Sequence, residues 1–282
     1  WICTCNFFNL SEEQNFQMSI LESIILGFIQ GLTEFLPISS SGHIEIGKVL
    51  LNVNLTNQKG LFLTLILHLA TAFSTILVYR RKIYKIFHDL FKFKKNHGFK
   101  LSIKIIISMI PAVLIALFYE KEISKLFNQN MILVGIMLII TSLFLFLSDR
   151  NYNNKGKITY KNSILIGIIQ AIAILPGISR SGSTISSAVL MGTKRVKAAE
   201  FSFLMVLPLI FGSMLKSLFE IESYTSNINI IPLITGFISA LITGIFACKW
   251  MIILVQKSKL KYFGYYCLLL GGFSIYYGIL IK

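Results

Sequence analysis

Two short segments of the chain concentrate the residues that could do chemistry. The first supplies a carboxylate, three hydroxyls and an imidazole, in Glu34, Ser39, Ser40, Ser41 and His43. The second holds Arg180, the only arginine deep within an apolar segment. A guanidinium binds phosphate in a bidentate manner, while the other groups can exchange protons or act as nucleophiles. Together the two segments suggest one composite polar site that binds an anion.

The two segments match each other without a gap at an offset of 140 residues, which indicates an internal duplication. The same residue types recur at matching positions. These are Gly27 and Gly167, Gln30 and Gln170, and the Ser-Gly dipeptides at 41–42 and 181–182. The copies differ in chemistry, because Glu34 and His43 stand opposite Ile174 and Ser183. Arg180 in turn stands opposite Ser40. An acid and an imidazole in one copy and a cation in the other favour a site that both copies share.

The composition places such a site in a membrane. Of the 282 residues, 55% are hydrophobic and 14% charged, and the mean hydropathy is +0.73. These values are typical of a polytopic membrane protein. A helix needs about 20 apolar residues to cross a bilayer. Six segments approach that length and are predicted to be transmembrane helices, at 61–79, 101–119, 131–147, 201–218, 230–250 and 262–281.

The net charge of +15 arises mainly from a few connections between apolar segments. Clusters of Lys and Arg occupy four of these connections, at 80–100, 150–161, 194–197 and 257–261. The other two connections, 120–130 and 220–229, hold two lysines against four glutamates. This alternation is the positive-inside pattern of cytoplasmic loops. A role in membrane topology is therefore favoured over binding of nucleic acid or acidic lipids, and no nucleic-acid partner is expected.

The duplicated segments fall outside the six predicted spans. Six crossings with the basic loops inside leave both termini outside. Segment 19–49 must then enter and leave the membrane from the outside, and segment 162–191 from the inside. Each is long enough for two half-helices joined by a break at Pro37 or Pro176. We therefore predict two re-entrant hairpins whose tips meet.

The predicted fold class is an all-α polytopic membrane protein with six transmembrane helices and two re-entrant helical hairpins in an inverted-topology repeat. Repeat 1 covers about 18–148 and repeat 2 about 162–282, within a single integral membrane domain of residues 18–282. Residues 1–17 are expected to be an N-terminal extension outside the fold. Inverted repeats with broken helices also recur in secondary transporters. A carrier or lipid flippase is therefore the alternative function.

The amide and the acid of the first segment could act together, since Gln30 and Glu34 lie four residues apart and share one helix face. Both could face one ligand or metal ion. Structural explanations are also open, because Glu34 and Arg180 could simply bridge the repeats and His43 could be a packing residue. His68, within an apolar span, is expected to pack rather than to take part in chemistry.

Two signatures resemble those of a known family. The stretch Gln30-Gly-Leu-Thr-Glu34-Phe-Leu-Pro-Ile-Ser-Ser-Ser-Gly-His43 closely resembles the first signature of the bacterial undecaprenyl-diphosphatases of the bacitracin-resistance type. The stretch Pro176-Gly-Ile-Ser-Arg180-Ser-Gly-Ser-Thr184 resembles the second. The resemblance runs from about Met18 to the C-terminus. Gln30 occupies the first acidic position of the motif, a variant that the family admits, and it can coordinate through its carbonyl but cannot act as a base.

The resemblance implies hydrolysis of undecaprenyl diphosphate to undecaprenyl phosphate at the outer face of the bacterial inner membrane, which recycles the cell-wall lipid carrier and confers bacitracin resistance. It implies a polyprenyl diphosphate lipid substrate and a divalent cation, Mg²⁺ or Ca²⁺, and leaves a homodimer open. The catalytic residues it implies are Glu34, Ser40, His43 and Arg180. The implied substrate-binding residues are Gln30, Ser39, Ser41, Ser179, Ser181 and Thr184. Glu34 and Gln30 are the implied metal ligands.

Ser40 is the preferred nucleophile, with His43 or Glu34 taking its proton, while phosphorylation of His43 and direct attack by water stay open. Another class of lipid-phosphate phosphatase combines a Ser-Gly-His element with Lys-x₆-Arg-Pro, but no Arg-Pro occurs in this chain. A pure carrier would not need an acid, a hydroxyl, an imidazole and a guanidinium around one anion. A phosphatase is therefore the preferred hypothesis.

Overall fold

The computed structural model describes residues 18–53, 57–91, 96–119, 122–123, 126, 130–149, 155–220, 230–257 and 260–280. Within these residues the protein is all-helical apart from one isolated bridge between Gly156 and Thr193. The ten long helices are α1 (Ile20–Phe35), α2 (Ser40–Leu50), α3 (Asn57–Phe91), α4 (His97–Phe118), α5 (Met131–Asp149), α6 (Tyr160–Ile172), α7 (Arg180–Leu190), α8 (Arg195–Glu220), α9 (Ile230–Gln256) and α10 (Leu260–Leu280). The predicted extension 1–17 and most of the connections 120–130 and 220–229 lie outside the described residues.

Six helices are long and apolar enough to cross a membrane, as the hydropathy predicts. They lie within α3, α4, α5, α8, α9 and α10, at Phe62–Leu90, His97–Phe118, Met131–Asp149, Arg195–Lys216, Ile230–Gln256 and Leu260–Leu280. One boundary differs from the prediction, because α3 continues to Phe91 and carries cations that were expected in a loop from residue 80. Lys and Arg are good helix formers, so a helix can extend past the apolar span. The helix kinks at Tyr79, where φ is −98° and ψ is 15°.

Each duplicated segment forms two helices separated by a break. α1 begins at a capping box in which Ser19 and Glu22 exchange hydrogen bonds, and it ends at Leu36, which is extended at φ −72° and ψ 145°. The residue before a proline avoids the helical region, so Pro37 explains this end. The break between α6 and α7 likewise contains Pro176. The predicted break in each segment is therefore present, whereas re-entrant hairpins that enter the membrane from opposite sides stay a prediction.

The duplication extends to the order and packing of the helices. α1 to α5 recur as α6 to α10, with α1 packed on α9 and its counterpart α6 packed on α4. The corresponding helices α5 and α10 also pack on each other. A Cβ on Gly135 would lie 2.6 Å from the carbonyl oxygen of Gly271, and one on Gly271 would lie 2.8 Å from that of Gly135. Small residues allow this close approach of membrane helices.

Buried ion pairs connect helices at some of the basic clusters. Arg195 was expected among the topological cations, but its side chain is buried and pairs with Asp149 at 3.3 Å. It also donates to the carbonyl oxygen of Ser148 at 3.4 Å. Lys82 of α3 pairs with Glu200 of α8. These contacts show that part of the positive charge holds helices together rather than facing solvent.

Candidate functional site

The breaks of the two hairpins meet, as predicted. The backbone N–H of Gly177 in the second break donates to the Ser41 hydroxyl at the start of α2, over 3.4 Å. In return, the Ser181 hydroxyl in α7 donates to the carbonyl oxygen of Leu36 in the first break, over 3.1 Å. The two contacts are reciprocal, so the tips form one unit to which each repeat contributes.

A serine caps the helix that begins at each tip. The Ser39 hydroxyl accepts from the N–H of Gly42 at 3.1 Å, and the Ser179 hydroxyl accepts from the N–H of Gly182 at 3.0 Å. Ser39 has a positive φ of 71° with ψ 97°, a conformation that costs energy for a residue with a side chain. Helix N-termini carry partial positive charge and favour anions. The arrangement therefore places two anion-favouring helix ends beside the meeting point.

Glu34 lies at the centre of the polar cluster. Its Oε1 accepts a hydrogen bond from Nη2 of Arg180, which belongs to the other repeat. Its Oε2 accepts from the Ser40 hydroxyl at 2.7 Å and from Nε2 of Gln30 at 3.0 Å. Nε2 of His68 lies 3.5 Å from the same oxygen. The side chain of Glu34 is only 7% exposed, so these contacts compensate a buried carboxylate.

Arg180 retains hydrogen-bonding capacity after these contacts. Its Nη1 donates to the carbonyl oxygen of Ser202 at 3.2 Å, and its Nη2 donates to Glu34. A guanidinium has five N–H donors, so further donors are available to an anion. Thr184 lies behind the arginine, donating to the Arg180 carbonyl oxygen and contacting the Ser202 hydroxyl, both over 2.7 Å. Thr184 therefore holds the helix that carries Arg180 against α8.

Gln30 and Glu34 offer the oxygen ligands that a divalent cation would need. The Oε1 atom of Gln30 is buried and has no hydrogen-bond partner, although its Nε2 is bonded to Glu34. Mg²⁺ and Ca²⁺ prefer carboxylate and amide oxygens, and Mg²⁺ often binds one or two carboxylates together with substrate phosphates. Within the described residues, no group of three or more His, Cys, Asp or Glu could hold a metal ion. Gln30 and Glu34 alone offer too few oxygens for a complete site, so a cation bound here would need further oxygen ligands from another molecule.

His43 faces away from this cluster. Its Nδ1 lies 2.7 Å from the carbonyl oxygen of Ser39, and its Nε2 lies 2.8 Å from the hydroxyl of Tyr266 in α10. A carbonyl can only accept, so Nδ1 carries the hydrogen and Nε2 of the neutral ring accepts from Tyr266. The two rings also stack, with centroids 5.6 Å apart and an interplanar angle of 9°. The hydrogen bond of Ser40 goes to Glu34 rather than to His43.

The remaining hydroxyls predicted for substrate binding lie within the tips. The hydroxyl oxygens of Ser39 and Ser41 are 3.3 Å apart, and those of Ser179 and Ser181 are also 3.3 Å apart. All predicted site residues therefore belong to the two hairpins. Arg180, Ser40 and Gln30 each donate a hydrogen bond to Glu34, whereas none of the hydrogen bonds described for His43 and the other hydroxyls goes to Glu34.

The sequence analysis missed two residues that contact predicted site residues, His68 beside Glu34 and Tyr266 beside His43. His68 was expected to pack, but its Nδ1 lies 2.7 Å from the carbonyl oxygen of Thr64 and its Nε2 faces Glu34. Its signal was that no other His, Lys, Arg, Asp or Glu occurs in segment 61–79, because an ionisable residue in a span usually has a function or a partner. Tyr266 had no signal, since it is one of several tyrosines in the last apolar segment.

Comparison with known proteins identifies similar chains. Residues 23–273 match the family described as Bacitracin resistance protein BacA. An undecaprenyl-diphosphatase of Christiangramia forsetii is 51% identical over 254 residues, which cover 90% of this chain and 96% of the relative. One from Bacteroides fragilis is 42% identical over 262 residues, 92% and 98% of the two chains. One from Methanococcus vannielii is 41% identical over 260 residues, 91% and 100% of the two chains.

Proposed function

The chain belongs to the Bacitracin resistance protein BacA family, and from this membership we propose that it hydrolyses undecaprenyl diphosphate to undecaprenyl phosphate and inorganic phosphate. The relatives named undecaprenyl-diphosphatase align over nearly their whole length. The observation that carries the proposal is the double contact of Glu34, which accepts from the Ser40 hydroxyl on one oxygen and from Arg180 on the other. This contact supports the proposal, because a hydroxyl, a carboxylate that could accept its proton and a guanidinium that could bind phosphate lie next to one another.

The diphosphate binds at the junction of the hairpin tips. The free N–H donors of Arg180 and the N-termini of α2 and α7 face its negative charge. Charge develops on the phosphoryl oxygens in the transition state, so fixed cationic donors stabilise that state more than the ground state. The polyprenyl chain extends from this point into the hydrocarbon of the bilayer.

Ser40 is the nucleophile in the proposed reaction. Its oxygen forms a bond to the terminal phosphorus, the bridging P–O bond breaks, and the lipid monophosphate leaves. Glu34 takes the hydroxyl proton, because its Oε2 already lies 2.7 Å from the Ser40 oxygen. Water then attacks the phosphoserine, phosphate leaves and Ser40 regains its proton. A correctly placed base contributes about 10²- to 10⁴-fold to such a step.

His43 has a separate part in this proposal. Its neutral ring is fixed by Ser39 on one side and Tyr266 on the other. From that position His43 orients the start of α2, and with it Ser40. Its Nε2 accepts a hydrogen bond from the hydroxyl of Tyr266. Direct proton removal from Ser40 by His43 fits this geometry less well than removal by Glu34.

A divalent cation, Mg²⁺ or Ca²⁺, is part of the proposal. Oε1 of Gln30 and the carboxylate of Glu34 would hold it together with the diphosphate oxygens. Bound there, it would neutralise phosphoryl charge beside Arg180.

We also propose that the reaction occurs at the outer face of the cytoplasmic membrane, and that bacitracin resistance is the resulting phenotype. The support for this orientation is the positive-inside pattern of the loops. With the basic loops in the cytoplasm, the α1–α2 hairpin enters from the outside and the α6–α7 hairpin from the inside. The two repeats then have opposite orientations, and a diphosphate would reach Glu34 along the first hairpin.

Phosphate release from undecaprenyl diphosphate by the detergent-purified protein tests the activity. Release should be lost in Arg180→Ala and should fall about 10²- to 10⁴-fold in Glu34→Gln, which keeps the shape of the side chain but cannot take a proton. Chelation should abolish release by the wild-type protein, and added Mg²⁺ or Ca²⁺ should restore it. Thermal melting and size-exclusion profiles confirm that the variants are folded.

The same experiment separates the enzyme from a lipid carrier. If folded wild-type protein releases no phosphate with either cation but binds undecaprenyl diphosphate, the polar cluster is a binding site for transport and the hydrolase proposal is wrong. Phosphate release that persists in the presence of a chelator would refute only the proposed divalent cation. Wild-type release that both variants retain would move the reaction away from the hairpin tips.

A further inference from the structure

A cleft lies between α3 and α9, on the side of the kink at Tyr79 that carries the basic end of α3. Its volume is about 530 Å³. It is lined by four cations, Arg80, Arg81, Lys82 and Lys249, and by the apolar side chains of Leu77 and Ile245 among others. The cleft belongs to neither hairpin, and among the residues that the structure describes, none of those lining it forms a hydrogen bond or ion pair with Glu34 or Arg180.

Most of the positive charge in this cleft is not neutralised by the residues that the structure describes. Lys82 pairs with Glu200, which also pairs with Lys197 at 3.1 Å. Arg80, Arg81 and Lys249 form no ion pair with any residue that the structure describes, and no carboxylate is among the residues that line the cleft. Three cations therefore converge on one concave surface without an anionic partner.

A neighbouring cleft on the other side of α3 provides a contrast. It has a volume of about 360 Å³ and shares Arg81 and Lys82, but Asp89 and His97 also line it. The carboxylate of Asp89 offsets part of the charge there. The cleft between α3 and α9 is both larger and free of acidic lining residues, so it is the better anion site.

The apolar side of the cleft indicates what kind of anion fits. Leu77 is 49% exposed and lies one turn before the cations on the membrane-spanning part of α3. Ile245 lies one turn before Lys249 on α9 in the same way. The cleft thus has a hydrocarbon-facing end and a cationic end, which is the polarity of a phospholipid at the membrane surface. Basic pockets between transmembrane helices can bind anionic lipid headgroups.

We propose that this cleft binds the phosphate headgroup of an anionic phospholipid, with the acyl chains against Leu77 and Ile245. The sequence alone favours a topological role for Arg80, Arg81 and Lys82. The structure adds that cations distant in the sequence, on α3 and α9, converge on one cleft. The proposal does not depend on the reaction at the hairpin tips.

Native mass spectrometry of the purified protein with phosphatidylglycerol or phosphatidylcholine tests this site. The wild-type protein should retain phosphatidylglycerol in preference to phosphatidylcholine. The triple variant Arg80→Gln, Arg81→Gln, Lys249→Gln should bind phosphatidylglycerol at least about tenfold more weakly, since each cation near a membrane surface adds about 1 kcal/mol. High salt should also weaken binding to the wild type.

A matched triple variant distinguishes the cleft from the general basic surface. Lys155→Gln, Lys157→Gln, Lys161→Gln removes the same charge from another basic connection and should leave phosphatidylglycerol binding within about twofold of wild type. A variant with Arg80→Lys and Arg81→Lys retains charge and should retain most binding. Equal loss in both Gln triples would reject the cleft, and displacement by millimolar inorganic phosphate would reassign it to free phosphate. Thermal melting excludes misfolding as the cause of any loss.

Discussion

The tips of the two hairpins have the same backbone arrangement but carry different side chains. In each, a serine caps the second helix through a glycine N–H, at 3.1 Å for Ser39 and 3.0 Å for Ser179. In each, the cap hydroxyl lies 3.3 Å from the hydroxyl two residues later. The similarity of these contacts means that the scaffold alone does not determine the chemistry of a tip.

The side chains at matched positions explain the difference. The first tip places Glu34, Ser40 and His43 where the second places Ile174, Arg180 and Ser183. Glu34 forms contacts with four polar side chains, whereas Ile174 can form no hydrogen bond through its side chain. The groups proposed to transfer protons are therefore concentrated in one copy, and the other supplies the cation proposed to bind the anion.

The second tip retains polar groups without partners. Both polar atoms of the Gln170 side chain and the hydroxyl of Ser183 are buried and have no hydrogen-bond partner in the described structure. The matched Gln30 and His43 each have partners, in Glu34 and in Ser39 and Tyr266. Burying an unpaired polar group costs free energy. The glutamine of the first copy is thus bonded to an acid, whereas the second copy has Ile174 at the matching position and offers its glutamine no such partner.

The largest effect predicted from this comparison is at Ser40. Ser40→Ala removes the proposed nucleophile and should lower phosphate release by on the order of 10³-fold or more, with little change in thermal stability. Ser183→Ala is the matched control, because it deletes a buried hydroxyl without a partner from the other tip. It should retain wild-type release within about twofold.

Substantial turnover by folded Ser40→Ala would exclude Ser40 as the nucleophile. Trapping of phosphate on His43 would do the same and would move the covalent step to the imidazole. Trapping on Ser40 in a wild-type quench experiment, with none in Ser40→Ala, would support the proposed step. A strong loss in Ser183→Ala would mean that the two tips are more equivalent than their hydrogen bonds indicate.

The sequence predicted the broken helices and the six spans because each depends on local signals, and it predicted the meeting of the tips through the internal duplication. Pro37 ends a helix because of its own ring geometry. Whether a run of apolar residues can cross a bilayer follows from its length alone. The juxtaposition of Glu34 and Arg180 was also predictable, since the internal match places them at equivalent breaks. His68 and Tyr266 were missed because their roles depend on how α3 and α10 pack against α1 and α2, which no local pattern encodes.

A smaller effect is predicted at the matched glutamines. Gln30→Leu removes the hydrogen bond to Glu34 and should lower phosphate release roughly 10- to 100-fold, since a hydrogen bond to a charged group contributes about 1.5 to 3 kcal/mol. Gln170→Leu replaces an unpartnered buried amide with an apolar side chain of similar size. It should leave release unchanged and raise thermal stability, by about 1 to 3 kcal/mol.

The pair is measured by phosphate release and by thermal melting in the same detergent. If Gln170→Leu is destabilising, the amide of Gln170 has a partner in solution, such as bound water. The interpretation of Gln170 as an unpartnered buried amide is then wrong. If both substitutions lower phosphate release equally, the second tip contributes other residues to the reaction besides Arg180. Gln30→Glu restores an acid at the family position and should retain more activity than Gln30→Leu.

The smallest predicted effect concerns the partner of His43. Tyr266→Phe keeps the stacked ring but removes the hydroxyl that lies 2.8 Å from Nε2 of His43. Phosphate release should fall about three- to tenfold, the range expected for one neutral hydrogen bond. Tyr265→Phe is the matched control on the same helix, because the ring of Tyr265 makes an edge-to-face contact with Phe146 instead of contacting a site residue. Its release should equal that of the wild type.

A double-mutant cycle shows whether Tyr266 acts through His43. Tyr266→Phe should have no further effect on release in a His43→Ala background, because the hydroxyl then has no imidazole to hold. If the two effects multiply instead, Tyr266 contributes to the site independently, for instance by contacting the substrate, and the assignment of His43 as its partner is wrong. An effect on KM alone would likewise indicate substrate contact, whereas orientation of the first tip through His43 should lower kcat. Ser183 lies at the position in the second tip that matches His43, and its hydroxyl has no hydrogen-bond partner among the described residues. Loss of a hydroxyl on α10 should therefore affect only the first tip.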